Sequence, residues 1–348
     1  MHSIIQILNR LKIINLSHSQ HLIKTPNLHS SSLEKLILKG CSSLVDVHQS
    51  IGNLTSLVFL NLEGCWSLKI LPESIGNVKS LETLNISGCS QLEKLPEHMG
   101  DMESLTKLLA DGIENEQFLS SIGQLKYVRR LSLRGYSSAP PSSLISAGFL
   151  NWKHWLPTSF EWRSVKGLKL SNRSLSDRAT NCVDFRGLFA LEELDLSGNK
   201  FSSLPSGIGF LPKLGFLSVR ACKYLVSIPD LPSSLRCLGA SSCKSLERVR
   251  MPIDSKKELY IFHIYLDESH SLEEIQGIEG LSNIFWYIGV DSREHSRNKL
   301  QKSVVEVLFL SVSLAQKETL IWLMSKISWF LEINVYTGNV QRWSPVLY

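Results

Sequence analysis

The residues best placed to do chemistry are three cysteines at a fixed interval. Cys41, Cys65 and Cys89 each follow a glycine (Gly40, Gly64, Gly88) and recur every 24 residues. Such a column could carry disulfides or hold a metal. Strands stacked side by side lie about 4.8 Å apart, so distance alone does not forbid a bond between neighbours. A packing role fits better. Asn199 occupies the same place in a later unit, and an amide has no redox chemistry. What Cys and Asn share is a polar atom that can turn inward and meet backbone groups where a strand bends away. The glycines suit a bend that needs little side chain. Ser32 and Lys35 match S-x-x-K, a frequent chance pattern. His18, His21 and His29 lie close together, but no third ligand is apparent, so they read as solvated histidines rather than a metal site. No G-x-x-x-x-G-K-[ST] loop, H-E-x-x-H, C-x-x-C pair or G-x-S-x-G elbow occurs. The expectation is a chain with no catalytic, cofactor-binding or metal residues, and not an enzyme.

The elements that position these cysteines are units beginning at Leu33, Leu57 and Leu81. They read LEKLILKGCSSLVDVHQSIGNLTS, LVFLNLEGCWSLKILPESIGNVKS and LETLNISGCSQLEKLPEHMGDMES. The shared order is L-x-x-L-x-[LI]-x-G-C-x-x-L followed by a polar tail with S-I-G-N or a relative of it. A fixed period of this length with this apolar spacing is the mark of a leucine-rich repeat. The L-x-x-L-x-L segment alternates like a short strand with one buried face. One such strand cannot bury its own leucines, so units stack and each touches only its neighbours. Leu36, Leu38 and Leu44, with Leu60, Leu62, Leu68, Leu84, Ile86 and Leu92, are the expected core; the residues between them point out of the inner face. The fold class that follows is an α/β solenoid. It is a leucine-rich-repeat horseshoe with a parallel β-sheet on the concave face, a convex side of irregular, 3-10 or short helical segments, and a small C-terminal cap or partial domain.

A first unit starts at Leu11, and residues 1–10 form a lead-in. Repeats are expected over 11–250, with an aromatic- and proline-rich insertion at about 139–164. The units at 191–213 and 214–234 are 23 and 21 residues long. From Arg250 the pattern is gone, so 251–348 reads as a cap, helical in places, with a divergent tail from about 304. The 348 residues are 43% hydrophobic and 20% charged, ordinary for a soluble globular chain, and the formal charge of +5 singles out no partner. Seven cysteines, most in the repeat column, read as reduced intracellular thiols rather than a secreted framework. The opening apolar run is short for a signal peptide, and no uncharged apolar stretch is long enough for a transmembrane helix.

Binding residues are therefore sought on the inner face. The positions read there are Lys35, Lys39, Phe59, Glu63, Trp66, Lys107, Asp111, Arg130, Arg134, Lys166, Lys169, Glu193, Asp195, Phe216 and Arg220. Aromatic and Arg side chains anchor protein interfaces because they combine area with hydrogen bonding. A nucleic-acid partner is disfavoured: Glu63, Asp111, Glu193 and Asp195 interrupt the basic positions, so no continuous phosphate-tracking stripe forms.

The segments LKIINLSHSQHLIKTPNL, LEKLILKGCSSLVDVHQSIGNLTSL and LNLEGCWSLKILPESIG closely resemble the repeat region of plant intracellular immune receptors of the TIR–nucleotide-binding–LRR type. The resemblance covers roughly 11–300. It implies a cytoplasmic or nucleocytoplasmic defence protein whose repeats recognise a pathogen effector or a guarded host protein and hold a nucleotide-binding switch inactive. The expected partners are thus proteins, including the nucleotide-binding domain of a related receptor, with neither nucleic acid nor membrane. TIR and nucleotide-binding segments are missing here, and the tail from about 304 departs from the family, so the reading is a truncated form. The competing readings are a generic cytosolic repeat scaffold and an extracellular receptor ectodomain. The ectodomain would call for a signal peptide, cap disulfides and a membrane helix.

Overall fold

The computed structural model describes residues 10–28, 32–135, 162–177, 185–205, 207–228, 231–250, 260–266, 269, 271–276 and 284–289, all within one compact unit of the chain. Its strands are β1 (Ile13–Asn15), β2 (Lys35–Ile37), β3 (Phe59–Asn61), β4 (Thr83–Asn85), β5 (Lys107–Leu109), β6 (Arg130–Ser132), β7 (Gly167–Lys169), β8 (Glu193–Asp195), β9 (Phe216–Ser218), β10 (Ser227–Ile228), β11 (Cys237–Gly239), β12 (Arg248–Arg250), β13 (Tyr260–Tyr265), β14 (Glu274–Gln276) and β15 (Ile284–Gly289). Twelve of them form one parallel sheet in the order β1 to β9, then β11, β13 and β15. The strands β10, β12 and β14 form a second.

Strands of three residues have no independent stability. They are held by register: Leu36 pairs with Leu60, Leu60 with Leu84 and Leu84 with Leu108, and all four leucines are fully buried. The residues two positions on, Leu38, Leu62, Ile86 and Ala110, form a second buried column, and Leu33, Leu57, Leu81 and Leu105 a third. Burying an aliphatic side chain contributes about 1.5–3 kcal/mol, so each rung's stability rests on contacts with the next. The S-I-G-N tails form 3-10 turns, Gln49–Asn53, Glu73–Asn77 and Glu97–Asp101. They stack so closely that a Cβ on Gly76 would lie 2.7 Å from the Cβ of His98. In the next unit the connection is instead an α-helix, Glu116–Ile122. Its N-terminus is capped by Asn115, whose side-chain oxygen accepts from Gln117 N at 2.8 Å, and Phe118 is buried beneath it.

The cysteine column turns inward, as expected. The Sγ atoms of Cys41, Cys65 and Cys89 donate to the carbonyls of Leu16, Leu38 and Leu62 at 3.1–3.2 Å, each reaching the preceding rung. Cys222 and Cys243 do the same toward Leu196 and Val219. All five are free thiols. Just before this column the chain takes a positive φ, between 68° and 77° at Gly40, Gly64, Gly88, Gly112 and Gly198, the left-handed bend that glycine makes without strain. His18, Asn172, Ala221 and Ser242 hold the same bend without being glycine.

One boundary needs correction. The sheet does not stop at Arg250. β13 pairs in parallel with β11 (Leu238 with Ile264), β15 with β13, and β14 with β12. Ile264 and Leu266 are buried where Leu238 and Ala240 stand in the rung before. His263 pairs with Tyr287, 24 residues on, so the period resumes without the G-C-x-x-L motif that made it visible. The described residues between 260 and 289 are in strands and turns, not helices. The insertion at 139–164 falls outside the described residues except for a 3-10 turn, Trp162–Ser164, and the ladder runs past it with Arg130 paired to Gly167. Residues 1–9 and the tail from 304 also lie outside the described residues.

Candidate functional site

Each rung offers three outward positions: the residue before the middle leucine, the residue after it, and the one two further on. Lys35, Phe59, Lys107, Arg130, Glu193 and Phe216 hold the first position, in register with one another. Lys169 and Asp195 hold the second and pair directly. Lys39, Glu63, Asp111, Arg134 and Arg220 hold the third, just past their strands. The strand face therefore gathers thirteen of the fifteen positions read from the sequence. Lys166 sits one residue ahead of β7, at the foot of the rung, with its Nζ 2.9 Å from Glu192 Oε1. Trp66 follows Cys65 on the turn beyond the strand and is 61% exposed. Among the described residues no three His, Cys, Asp or Glu could share a metal ion, and His29 lies outside them.

The face divides into side chains that can meet a partner and side chains absorbed by the fold. Lys39 Nζ lies 3.1 Å from Glu63 Oε1, and Asn85 Nδ2 donates to Glu63 Oε2 at 3.2 Å. Asn85 Oδ1 accepts from Ser87 N, and Ser87 Oγ accepts from Asp111 N. Asp111 then takes four hydrogen bonds: Oδ1 from Ser132 Oγ (2.6 Å) and Arg134 N (2.8 Å), Oδ2 from Arg134 Nε (3.0 Å) and Nη2 (2.8 Å). The ladder runs unbroken from the rung of β2 to that of β6. A carboxylate so satisfied is part of the scaffold. Asn61, Asn85 and Asp195 also fold their side-chain oxygens back onto the backbone N–H two residues later, an Asx turn that ends the strand.

Sequence alternation placed Lys169, Glu193 and Asp195 toward solvent, yet they are 2%, 6% and 9% exposed. Burial pushes the Lys169 amine down to about 8, while Asp195 pulls the other way, Arg134 adds to the depression, and Asp111 and Glu193 oppose it. Lys35 remains exposed, and Phe59, Lys107, Arg130, Arg134, Phe216 and Arg220 are half-buried. Arg220 reaches across the rung of β11, where Gly239 offers no side chain, to stack over Tyr265 at 5.8 Å.

Two residues carry more than sequence reasoning assigned. Arg173 stands in the cysteine column of its unit, is buried, and donates from Nε to the Leu133 carbonyl and from Nη1 to the Ile113 carbonyl at 2.9 Å. It reaches two rungs where a thiol reaches one. Burial pushes its guanidinium down to about 10, with Glu114 and Asp111 opposing. Counting nine residues from Val165 finds it. Cys237 is a strand-face thiol outside the repeat column, and burial pushes it up to about 12, with Arg220 pulling down.

Residues 12–151 match the family model described as a leucine-rich repeat region, and residues 190–211 match a leucine-rich repeat. TMV resistance protein N of Nicotiana glutinosa is 29% identical over 84% of this chain and 30% of its own length. Disease resistance-like protein DSC1 of Arabidopsis thaliana is 34% identical over 38% of this chain and 10% of its own. Disease resistance protein RPS4 of the same plant is 42% identical over 18% and 5%. The chain thus spans less than a third of the length of these relatives. A solved leucine-rich-repeat protein of Leptospira interrogans aligns over 83% of this chain and 88% of its own at 18% identity and a TM-score of 0.38, too low to carry an argument. No described helix is long and apolar enough to cross a membrane.

Proposed function

Starting from a leucine-rich-repeat region like those of plant disease resistance proteins, we propose that this chain is the protein-recognition module of an intracellular immune receptor. It acts in the cytoplasm or nucleus, by surface complementarity and without catalysis. Its strand face docks a pathogen effector or a guarded host protein, and in the resting state the module restrains a nucleotide-binding switch. The strand face carries this reading. Buried columns stay aliphatic from rung to rung, while the outward columns change from Lys35 to Phe59 to Thr83 to Lys107 in register. Such a surface can vary its chemistry without disturbing its frame, which is what recognition of different partners needs.

Co-expression with the nucleotide-binding domain of a related receptor tests it, reading association by co-precipitation and repression by the receptor's signalling output. Association and repression are expected. If the chain neither binds nor represses that domain, the immune-receptor reading falls and a generic repeat scaffold takes its place.

A further inference from the structure

The rim where the strands bend away carries a basic ridge. The residue just after the inward column is Lys200 on the rung of β8, Lys223 on that of β9 and Lys244 on that of β11, and these three strands are consecutive in the sheet. Each lysine follows a residue pinned to the rung before. Asn199 Nδ2 donates to the Leu170 carbonyl, Cys222 Sγ to that of Leu196 and Cys243 Sγ to that of Val219. The lysine backbones are therefore held one rung apart, roughly 5 Å. All three side chains are exposed. Lys12, Lys24, Lys39 and Lys166 each meet a carboxylate of the neighbouring rung, whereas Lys200, Lys223 and Lys244 meet none among the described residues. Like charges at this pitch repel, so the stack gains nothing from the ridge. Tyr224, beside the middle lysine, is 58% exposed and offers the kind of aromatic anchor that interfaces favour.

We propose that Lys200, Lys223, Lys244 and Tyr224 dock the acidic face of a helix in a protein partner. This rests on the protein-recognition reading and specifies where the partner sits and what chemistry it brings. Two rung pitches make about 10 Å. Residues i and i+7 of a helix are about 10.5 Å apart, with i+4 between them on the same face, so three carboxylates can face three ammonium groups. A nucleic-acid strand fits less well. Toward the first rungs the same place is held by exposed Ser174 and then, on the rung of β5, by exposed Glu114, so a phosphate backbone following the rim would leave its cations after three rungs.

The test uses the whole chain and a fluorescein-labelled, alanine-rich helical peptide with Glu at i, i+4 and i+7. Its Gln counterpart and an oligouridylate of equal length run alongside, all followed by fluorescence anisotropy at low salt. The wild type binds the Glu peptide over the Gln peptide, and K200E/K223E/K244E weakens that binding about tenfold, from three exposed contacts together. The neutral K200Q/K223Q/K244Q, the safer variant for folding, weakens it in the same direction and less. K69E/K94E/K213E changes net charge equally at exposed lysines elsewhere and leaves binding within about twofold. Equal loss in that control, no loss in either ridge variant, no preference for the Glu peptide, or tighter binding of the oligouridylate overturns the proposal. If any of these occurs while the wild-type chain still associates with the nucleotide-binding domain, the ridge fails and protein recognition stands.

Discussion

Asn199 is the sharpest test of what the inward column does. Its side chain is 2% exposed and makes four hydrogen bonds. Oδ1 accepts from Arg173 N (3.0 Å) and Leu175 N (3.1 Å), and Nδ2 donates to the carbonyls of Leu170 (3.0 Å) and Leu196 (2.7 Å). Asn199→Ala strands two buried amide N–H groups and two carbonyls. An unsatisfied buried polar group costs about 1–3 kcal/mol, with donors the harder to leave bare, so about 4 kcal/mol is expected. Asn199→Cys restores one donor, as Cys222 does toward Leu196 at 3.4 Å, so it recovers one of the two carbonyls and neither amide N–H, and costs about 3 kcal/mol. Urea unfolding gives the totals, and amide exchange at residues 173 and 175 localises them, since repeat arrays depart from two-state behaviour. The column is not the clamp described here if the alanine variant costs under about 1 kcal/mol, or if alanine and cysteine are equivalent.

Burial holds the Cys65 and Cys222 thiols up at about 12, well above the ordinary thiol range. The folded state therefore keeps protons that the unfolded chain releases: stability from these thiols is complete below pH 9 and is lost as pH rises toward 12, by about 1 kcal/mol per thiol at pH 10. Lys169 runs the other way, its folded value near 8 relieving strain as pH rises from 8 to 10.5, but it is one group against several thiols. Unfolding midpoints should fall as pH rises above 9, and thiol reagents at pH 8 should leave these cysteines unmodified until denaturant is added. Asp111→Ala should cost about 2 kcal/mol by orphaning Ser132 and the bidentate Arg134, and adding Arg134→Ala should cost less than the sum in a double-mutant cycle. Ala221 holds φ at 55°, so Ala221→Gly should stabilise the chain by about 0.5–1 kcal/mol net of glycine's unfolded-state entropy, read as a higher melting temperature. Gly64→Ala should destabilise it by about 1 kcal/mol, because the new Cβ finds 3.6 Å of room but φ stays at 72°.

The sequence alone determined the period, the parallel sheet, the buried columns of Leu36, Leu60 and Leu84, and the inward turn of Cys65 and Asn199. It could do so because a stacked rung needs only its neighbours, and that need is written locally, as a leucine every two or three residues and a glycine where φ turns positive. Tertiary structure decided what depends on residues far apart along the chain. Lys169 and Asp195 alternate like exposed strand residues but are buried in the stack; Arg173 becomes a two-rung brace only because Leu133 and Ile113 present carbonyls at its reach. The rungs after Arg250 are the same lesson in reverse. Ile264 and Leu266 keep the two aliphatic positions that packing demands and drop the motif that reading demands, so they are recognised only by what they pack against.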